Sequence, residues 1–125
     1  MKTSNAIKFT YLYRDASNYK AWGEIVFINS ERVELNEIDT RLRGAFDTDG
    51  IFNARQILVP EVFLYAGGNV TVHDHCYHEF YSVESTDCDP TDLQGRSIKT
   101  FLDQVELESR QGWHVFDPLD WLAKK

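Results

Sequence analysis

The sequence predicts an α+β domain, and three observations carry this prediction. Several segments alternate apolar and polar residues with a period of two, which is typical of half-buried strands. Two other segments repeat apolar residues at helical spacing. The first two strands are joined by a short polar connection, so the expected sheet is mostly antiparallel, with the helices covering one face. At 125 residues, the chain has the usual size of one domain, and we expect residues 1–125 to form a single one.

About five strands are predicted. Residues 6–15 (AIKFTYLYRD) and 22–29 (WGEIVFIN) form a hairpin across the polar connection ASNYKA. Residues 51–60 (IFNARQILVP) and 61–68 (EVFLYAGG) are two further short strands, bounded by a proline and a glycine pair. The fifth strand is expected at 76–83 (CYHEFYSV).

Two main amphipathic helices are predicted. Residues 35–46 place apolar side chains on one stripe, with Asn36 as the expected N-cap and DTDG as the stop. Residues 97–112 form the second helix, which Ser97 caps and Gly112 ends. Asp117 and Pro118 resemble the cap and first residue of a short C-terminal helix.

The composition excludes some classes of protein. No run approaches the roughly 18 apolar residues of a membrane span, and the first residues lack the apolar segment of a signal peptide. Two cysteines in a chain with an adequate core favour a reduced, cytoplasmic protein. A pI near 5.0 disfavours direct binding of nucleic acid, which requires a basic face. The sequence leaves the oligomeric state open.

The net charge of −7 is unevenly distributed. Residues 56–95 contain no lysine or arginine but hold seven carboxylates: Glu61, Asp74, Glu79, Glu84, Asp87, Asp89 and Asp92. Four of these fall in or next to the polar loop ESTDCDPTDLQG, at 84–95. If Glu84, Asp87, Asp89 and Asp92 share one exposed patch, they would attract a basic protein surface. A solvated acidic surface that only aids solubility is the alternative.

The segment NVTVHDHCYHEF, residues 69–80, concentrates candidate metal ligands. In an extended strand, His73, His75 and Glu79 would point to one side, whereas Asp74, Cys76 and His78 would point to the other, where Cys88 could join them. Either set could hold zinc or a similar divalent ion, since zinc accepts nitrogen, sulfur and oxygen donors. Ordinary surface or core histidines are the alternative, because the spacing matches no established zinc motif. We therefore expect no resident cofactor, with zinc as the alternative.

The same residues could instead act as acids and bases. A catalytic set of His75, His78 and Glu79 would place an imidazole beside a carboxylate, and such an imidazole titrates near neutrality. A cation from elsewhere in the fold, such as Arg14, Lys20 or Arg55, would have to join it.

Two segments, YRDASNYKAWGEIVF (13–27) and DHCYHEF (74–80), resemble those of small uncharacterised bacterial proteins. The resemblance would cover most of the chain. It implies a bacterial or phage origin and a compact α+β domain, and it assigns no catalytic role. The polar residues between Arg14 and Lys20 are explained equally well by local capping of the hairpin turn.

Two functional hypotheses follow from the sequence. The preferred one is a non-enzymatic binding protein that presents residues 84–92 to a basic macromolecular partner, as immunity proteins and nuclease inhibitors do. The alternative is a metal-dependent or histidine acid–base enzyme that uses residues 73–79.

Overall fold

A computed structural model describes residues 5–14, 20–46, 50–62 and 77–113. They form four strands, β1 (Ala6–Arg14), β2 (Lys20–Ile28), β3 (Ile51–Phe52) and β4 (His78–Thr86), and two α-helices, α1 (Leu35–Ala45) and α2 (Ile98–Gln111). A 3₁₀ turn spans Arg55–Ile57. The α+β class predicted from the sequence is confirmed. Within these residues, no helix is long and apolar enough to cross a bilayer.

The strands form one antiparallel sheet in the order β2-β1-β4-β3. The β1–β2 hairpin is continuous from Ala6–Ile28 to Arg14–Lys20. Between β1 and β4 the register shifts, because Thr10 pairs with Ser82 whereas Tyr11 pairs with Phe80. Tyr81 is therefore the extra residue of a β-bulge. Strand β2 lies at one edge of the sheet.

One face of the sheet carries the aromatic core. Ile7, Phe9 and Tyr11 of β1 pack there with Ile25 and Phe27 of β2 and with apolar residues of both helices. Phe9 is fully buried, and its ring centroid lies 5.2 to 6.3 Å from those of Tyr11, Phe46, Phe52, Phe80 and Phe101. Most of the aromatic residues that the structure describes thus pack into one contiguous core.

Gly23 lies in β2 where Tyr11 crosses it. A Cβ atom at position 23 would stand 2.6 Å from Tyr11 Cζ, closer than real contacts allow. The Tyr11 hydroxyl donates a 2.6 Å hydrogen bond to the carbonyl of Pro60, which fixes the ring in this position. Burial raises the pKa of Tyr11 well above its ordinary value. The glycine is therefore required by close packing within the sheet.

The strand predicted at 51–60 is mostly wrong. Only Ile51–Phe52 pair with β4, and the chain then turns through Arg55–Ile57. The turn is stabilised locally, because the Gln56 N–H donates to the side-chain oxygen of Asn53 at 3.1 Å. Leu58 follows with a positive φ of 59°, so local polar bonding outweighs the strand preference of this apolar run.

The other predicted elements fare differently. The fifth predicted strand, 76–83, is present as β4, although it continues to Thr86. Of the strand predicted at 61–68, Glu61 and Val62 are not in a strand, and the remainder lies outside the described residues. The short helix at Asp117 and Pro118 also lies outside them. The described sheet accordingly has four strands where about five were expected.

The boundaries of α2 agree with prediction, and α1 differs from prediction only in its N-cap. The Ser97 side chain accepts the N–H of Thr100, and Gly112 ends α2 with a positive φ of 96°. Helix α1 begins at Leu35, so its N-cap is Glu34 and not Asn36. Glu34 makes no side-chain capping bond.

Candidate binding surface

The side of the sheet opposite the core is here called the outer face. Alternation along β1 directs Lys8, Thr10, Leu12 and Arg14 toward it. The register adds Lys20, Trp22, Glu24, Val26 and Ile28 from β2, and Glu79, Ser82, Glu84 and Thr86 from β4. The outer face thus combines charged and polar side chains with a small number of apolar ones.

An exposed aromatic pair dominates this face. Trp22 is 51% exposed and Tyr81 is 58% exposed. Their ring centroids lie 4.9 Å apart with the rings nearly perpendicular, at 88°, which is a favourable edge-to-face geometry. The β1 residue opposite Trp22 is Leu12, and it is fully buried. The pair therefore belongs to an ordered apolar centre and is not a chance exposure of one ring.

The β-bulge explains how β4 returns to the core at Val83 after Tyr81 has faced outward. Phe80 faces the core and contacts Phe9, whereas strict alternation after Tyr81 would direct Ser82 to the core. The extra residue restores Val83 to the core side and leaves both Tyr81 and Ser82 on the outer face. Bulges commonly redirect a side chain in this way.

Two ion pairs flank the aromatic pair. Arg14 donates to both carboxylate oxygens of Glu79 at 3.2 Å. Lys8 pairs with Glu84 at 3.1 Å. The hydrogen bond and charge of Glu84 raise the pKa of Lys8, and Glu24 and Cys88 add smaller contributions of the same sign.

The acidic patch predicted at Glu84, Asp87, Asp89 and Asp92 does not form as a unit. Glu84 lies within β4 and is neutralised by Lys8. The Asp92 side chain is only 2% exposed and pairs with Arg96 at 2.9 Å. Asp87 and Asp89 are exposed. Glu84 and Asp92 are thus each paired with a cation of the same molecule, Lys8 from distant β1 and Arg96 from just beyond the acidic segment.

The Asp92–Arg96 pair is structural. Burial raises the pKa of the Asp92 carboxyl, but hydrogen bonds from the Arg96 side chain and backbone and the charge of Arg96 outweigh it, so the pKa lies below its ordinary value. Arg96 also donates to the carbonyls of Ile57 and Leu58. Asp92 is consequently not available to a partner.

The loop that holds Asp87 and Asp89 returns to the edge of β2. The Thr91 N–H donates to the Val26 carbonyl at 2.9 Å. The Val26 N–H in turn donates to Thr91 Oγ1 at 2.9 Å. Further along, Ile28 forms a parallel bridge with Ser97. The loop therefore covers one half of the β2 edge.

Only His78 of the three histidines at 73–78 lies within the described residues. The predicted metal ligands His73, His75 and Cys76 lie outside the described residues, and a metal site or zinc ion there stays a prediction. His78 is 1% exposed and its Nε2 accepts the Val62 N–H at 2.9 Å. Among the described side chains, no three histidines, cysteines or carboxylates are grouped to hold a metal.

Two members of the predicted catalytic set of His75, His78 and Glu79 are described, and these two do not come together. His78 packs on the core side against the rings of Tyr11, Tyr13 and Phe52. Glu79 pairs with Arg14 on the outer face. Adjacent residues of a strand point to opposite faces, so these two side chains diverge.

A scan against protein-family models and searches of curated proteins and of solved structures find no match to this chain. The resemblance to small bacterial proteins therefore stays a prediction.

The aromatic pair was missed in the sequence, although half of its signal is present there. In β2, Trp22 is out of phase with the core residues Ile25 and Phe27, so alternation alone predicts that it faces outward. Tyr81 directly follows the core residue Phe80 and is predicted to face outward in the same way. The sequence does not show that β2 and β4 both pair with β1, which brings the two rings together.

Proposed function

We propose that this chain is a non-enzymatic binding protein whose outer face takes a basic segment of another protein. The observation that carries this proposal is the exposed, mutually packed pair of Trp22 and Tyr81.

The aromatic pair has the properties of a binding centre. Most other large aromatic side chains of the described residues are buried, so the exposure of these two is not a general feature of the molecule. Tryptophan and tyrosine are enriched among the few interface residues that contribute most binding energy. Their mutual packing holds both rings in place, which lowers the entropy lost when a partner binds.

The charges around the pair favour a basic partner. The Lys8–Glu84 and Arg14–Glu79 pairs are internally balanced. Glu24 lies on the same side of β2 as Trp22, and exposed Asp89 follows the end of β4. A lysine or arginine of the partner could pack on an aromatic ring and pair with a carboxylate. The net charge of −7 would also accelerate encounter with a basic surface.

This proposal retains the partner class predicted from the sequence and relocates the contact surface. Residues 84–92 contribute Asp89 at the margin, while the centre moves to the middle of the outer face. The alternative enzyme hypothesis has no comparable support among the described residues, since His78 is buried and Glu79 is paired.

A peptide-display selection tests the proposal. We expect random 12-residue peptides selected on the wild-type protein to be enriched in lysine and arginine. Trp22→Ala and Tyr81→Ala should each weaken the selected peptides at least about tenfold, corresponding to about 1.4 kcal/mol. Glu24→Gln should reduce the dependence of binding on salt. Affinities are measured by fluorescence anisotropy of the labelled peptides.

Leu93 supplies the control, because it is 88% exposed and lies in the loop before α2, outside the strands of the sheet. Leu93→Ala should leave peptide affinity unchanged. Selection of acidic peptides, or of peptides that bind Trp22→Ala as tightly as the wild type, would refute the proposal.

A further inference from the structure

We propose that two copies of this chain associate edge to edge through residues 20–24 of β2, in an antiparallel pairing whose two-fold axis passes through Trp22. This inference goes beyond the proposed function and does not depend on it, since it rests on the backbone of the sheet edge and on two charges.

The backbone groups of alternate residues in β2 point away from β1. Both the N–H and the C=O of Val26 bond to Thr91, so both point away from β1. In an antiparallel strand, the N–H and C=O of a residue point to the same side, and the side alternates along the strand. The N–H and C=O groups of Lys20, Trp22 and Glu24 therefore also point away from β1.

The edge of β2 is open from residue 20 to residue 24 in the described structure. Thr91 occupies the edge at Val26, and Ser97 covers it at Ile28. In the part of the chain that the structure describes, no hydrogen bond reaches the outward backbone groups of Lys20, Trp22 and Glu24. An open edge of this kind is a template for pairing with another strand.

The open segment, residues 20–24, is complementary in charge to a second copy of itself. A two-fold axis at Trp22 places Lys20 of one copy opposite Glu24 of the other, at both ends of the pairing. Directly opposed residues of opposite charge stabilise antiparallel strands. Isologous pairing of this kind is the commonest way in which a single chain forms a closed dimer.

Neighbouring registers lack this match. An axis at Gly23 would place Lys20 opposite Val26, whose backbone groups Thr91 already occupies. An axis at Ala21 would place Lys20 opposite Trp22 and would leave Glu24 without an opposed lysine. Only the register centred on Trp22 uses all three open residues and pairs both charges.

The dimer would extend the sheet across both copies. The two Trp22 side chains would be opposed on the same side of that sheet, so the outer faces would join into one surface with both Trp22–Tyr81 pairs at its centre. Five residues of edge form a small interface compared with the roughly 1,600 Å² of a standard one. We therefore expect reversible association that depends on concentration.

A charge-swap series tests this inference by sedimentation velocity over a concentration series, without any peptide present. Wild-type protein should associate as its concentration rises. In a dimer of Lys20→Glu, a glutamate at position 20 would face Glu24 of the other copy. In a dimer of Glu24→Lys, a lysine at position 24 would face Lys20 of the other copy. Each single variant should therefore remain monomeric at concentrations where the wild type associates. The double variant K20E/E24K restores both opposed pairs and should regain association.

An equimolar mixture of the two single variants should also associate, because each supplies the charge that the other lacks. Lys99→Glu is the control, since it changes the net charge by the same amount as Lys20→Glu but at an exposed side chain of α2. It should dimerise like the wild type. Circular dichroism establishes that each variant is folded. A wild type that stays monomeric throughout, or a double variant and a mixture that both fail to associate, would overturn the inference.

Failure of this inference is distinguishable from failure of the proposed function. Lys20→Glu keeps both aromatic rings and every carboxylate of the outer face. It should therefore retain peptide binding while losing self-association.

Discussion

Arg96 shows how one residue can tie distant segments together. Its guanidinium donates to both carboxylate oxygens of Asp92, to the carbonyls of Ile57 and Leu58, and to the side-chain oxygen of Gln104. The turn after β3, the acidic loop and α2 are thereby joined at one buried charge. Such a charge is tolerated only because its donors are satisfied and a carboxylate neutralises it.

We predict that Asp92→Asn destabilises the protein by about 3–5 kcal/mol, since it leaves the buried Arg96 charge without its counter-ion. Urea denaturation monitored by circular dichroism measures the change. Lys99→Ala is the control, because the Lys99–Asp103 pair is about half exposed and such pairs contribute at most about 1 kcal/mol. Equal effects of the two substitutions would contradict a structural role for Asp92.

At the scale of the element, the two helices differ in how their first turns are satisfied. The Ser97 hydroxyl accepts the Thr100 N–H at 3.2 Å. Glu34 has the extended conformation of an N-cap, with φ −66° and ψ 140°, yet its side chain accepts no bond from the first turn. Glu37 stands three residues later, at the position that completes a capping box.

We therefore expect substitutions at the two caps to act in opposite directions. Ser97→Ala should lower the free energy of unfolding by about 1 kcal/mol, because it removes an acceptor for an otherwise unpaired N–H. Glu34→Ser should raise it by about 0.5–1 kcal/mol, since a hydroxyl at this position can accept the Glu37 N–H. Thermal and urea unfolding measure both. Destabilisation by Glu34→Ser would show that the Glu34 side chain has another role.

A helix or strand was predictable from the sequence where its limits depend only on its own residues. The β1–β2 hairpin and α2 have regular periods, and α2 also has clear capping residues. The run at 51–60 was mispredicted because Asn53 turns the backbone locally and Arg96 binds the carbonyls of Ile57 and Leu58. The second cause involves residues about forty positions apart, which no local pattern contains.

At the scale of the whole molecule, carboxylates are engaged in ion pairs between elements. Arg41 of α1 donates to Glu106 at 2.6 Å and to Asp103 at 3.0 Å, so it links the two helices. The hydrogen bond from Lys99 and a second one from Arg41 lower the pKa of Asp103. The hydrogen bond from Arg41 lowers that of Glu106. Asp92 has a lowered pKa as well.

These lowered pKa values predict loss of stability in acid. A carboxyl whose folded pKa lies below its unfolded value stabilises the fold fully above the unfolded value, which is about 3.9–4.3. That contribution disappears as the pH falls through the folded pKa. The melting temperature should therefore be nearly constant from about pH 7 to about pH 5 and should fall below about pH 4.

Arg41→Met tests the origin of this acid sensitivity. It removes the cation that lowers the pKa of Glu106 and contributes to that of Asp103, so the melting temperature of the variant should depend less steeply on pH below about 4. Calorimetry at a series of pH values makes the comparison. The same slope in variant and wild type would show that these two carboxylates do not cause the effect.

The sequence by itself determined the α+β class, the hairpin, the limits of α2 and the excess of carboxylates in the middle of the chain. Each of these depends on residues close together in the chain, whose periodicity and capping act locally. Tertiary structure alone decided that Glu84 and Asp92 are paired with cations, because Lys8 and Arg96 take up these positions only in the folded chain. It also decided where the aromatic centre lies, since Trp22 of β2 and Tyr81 of β4 meet only because both strands pair with β1, across which their rings touch.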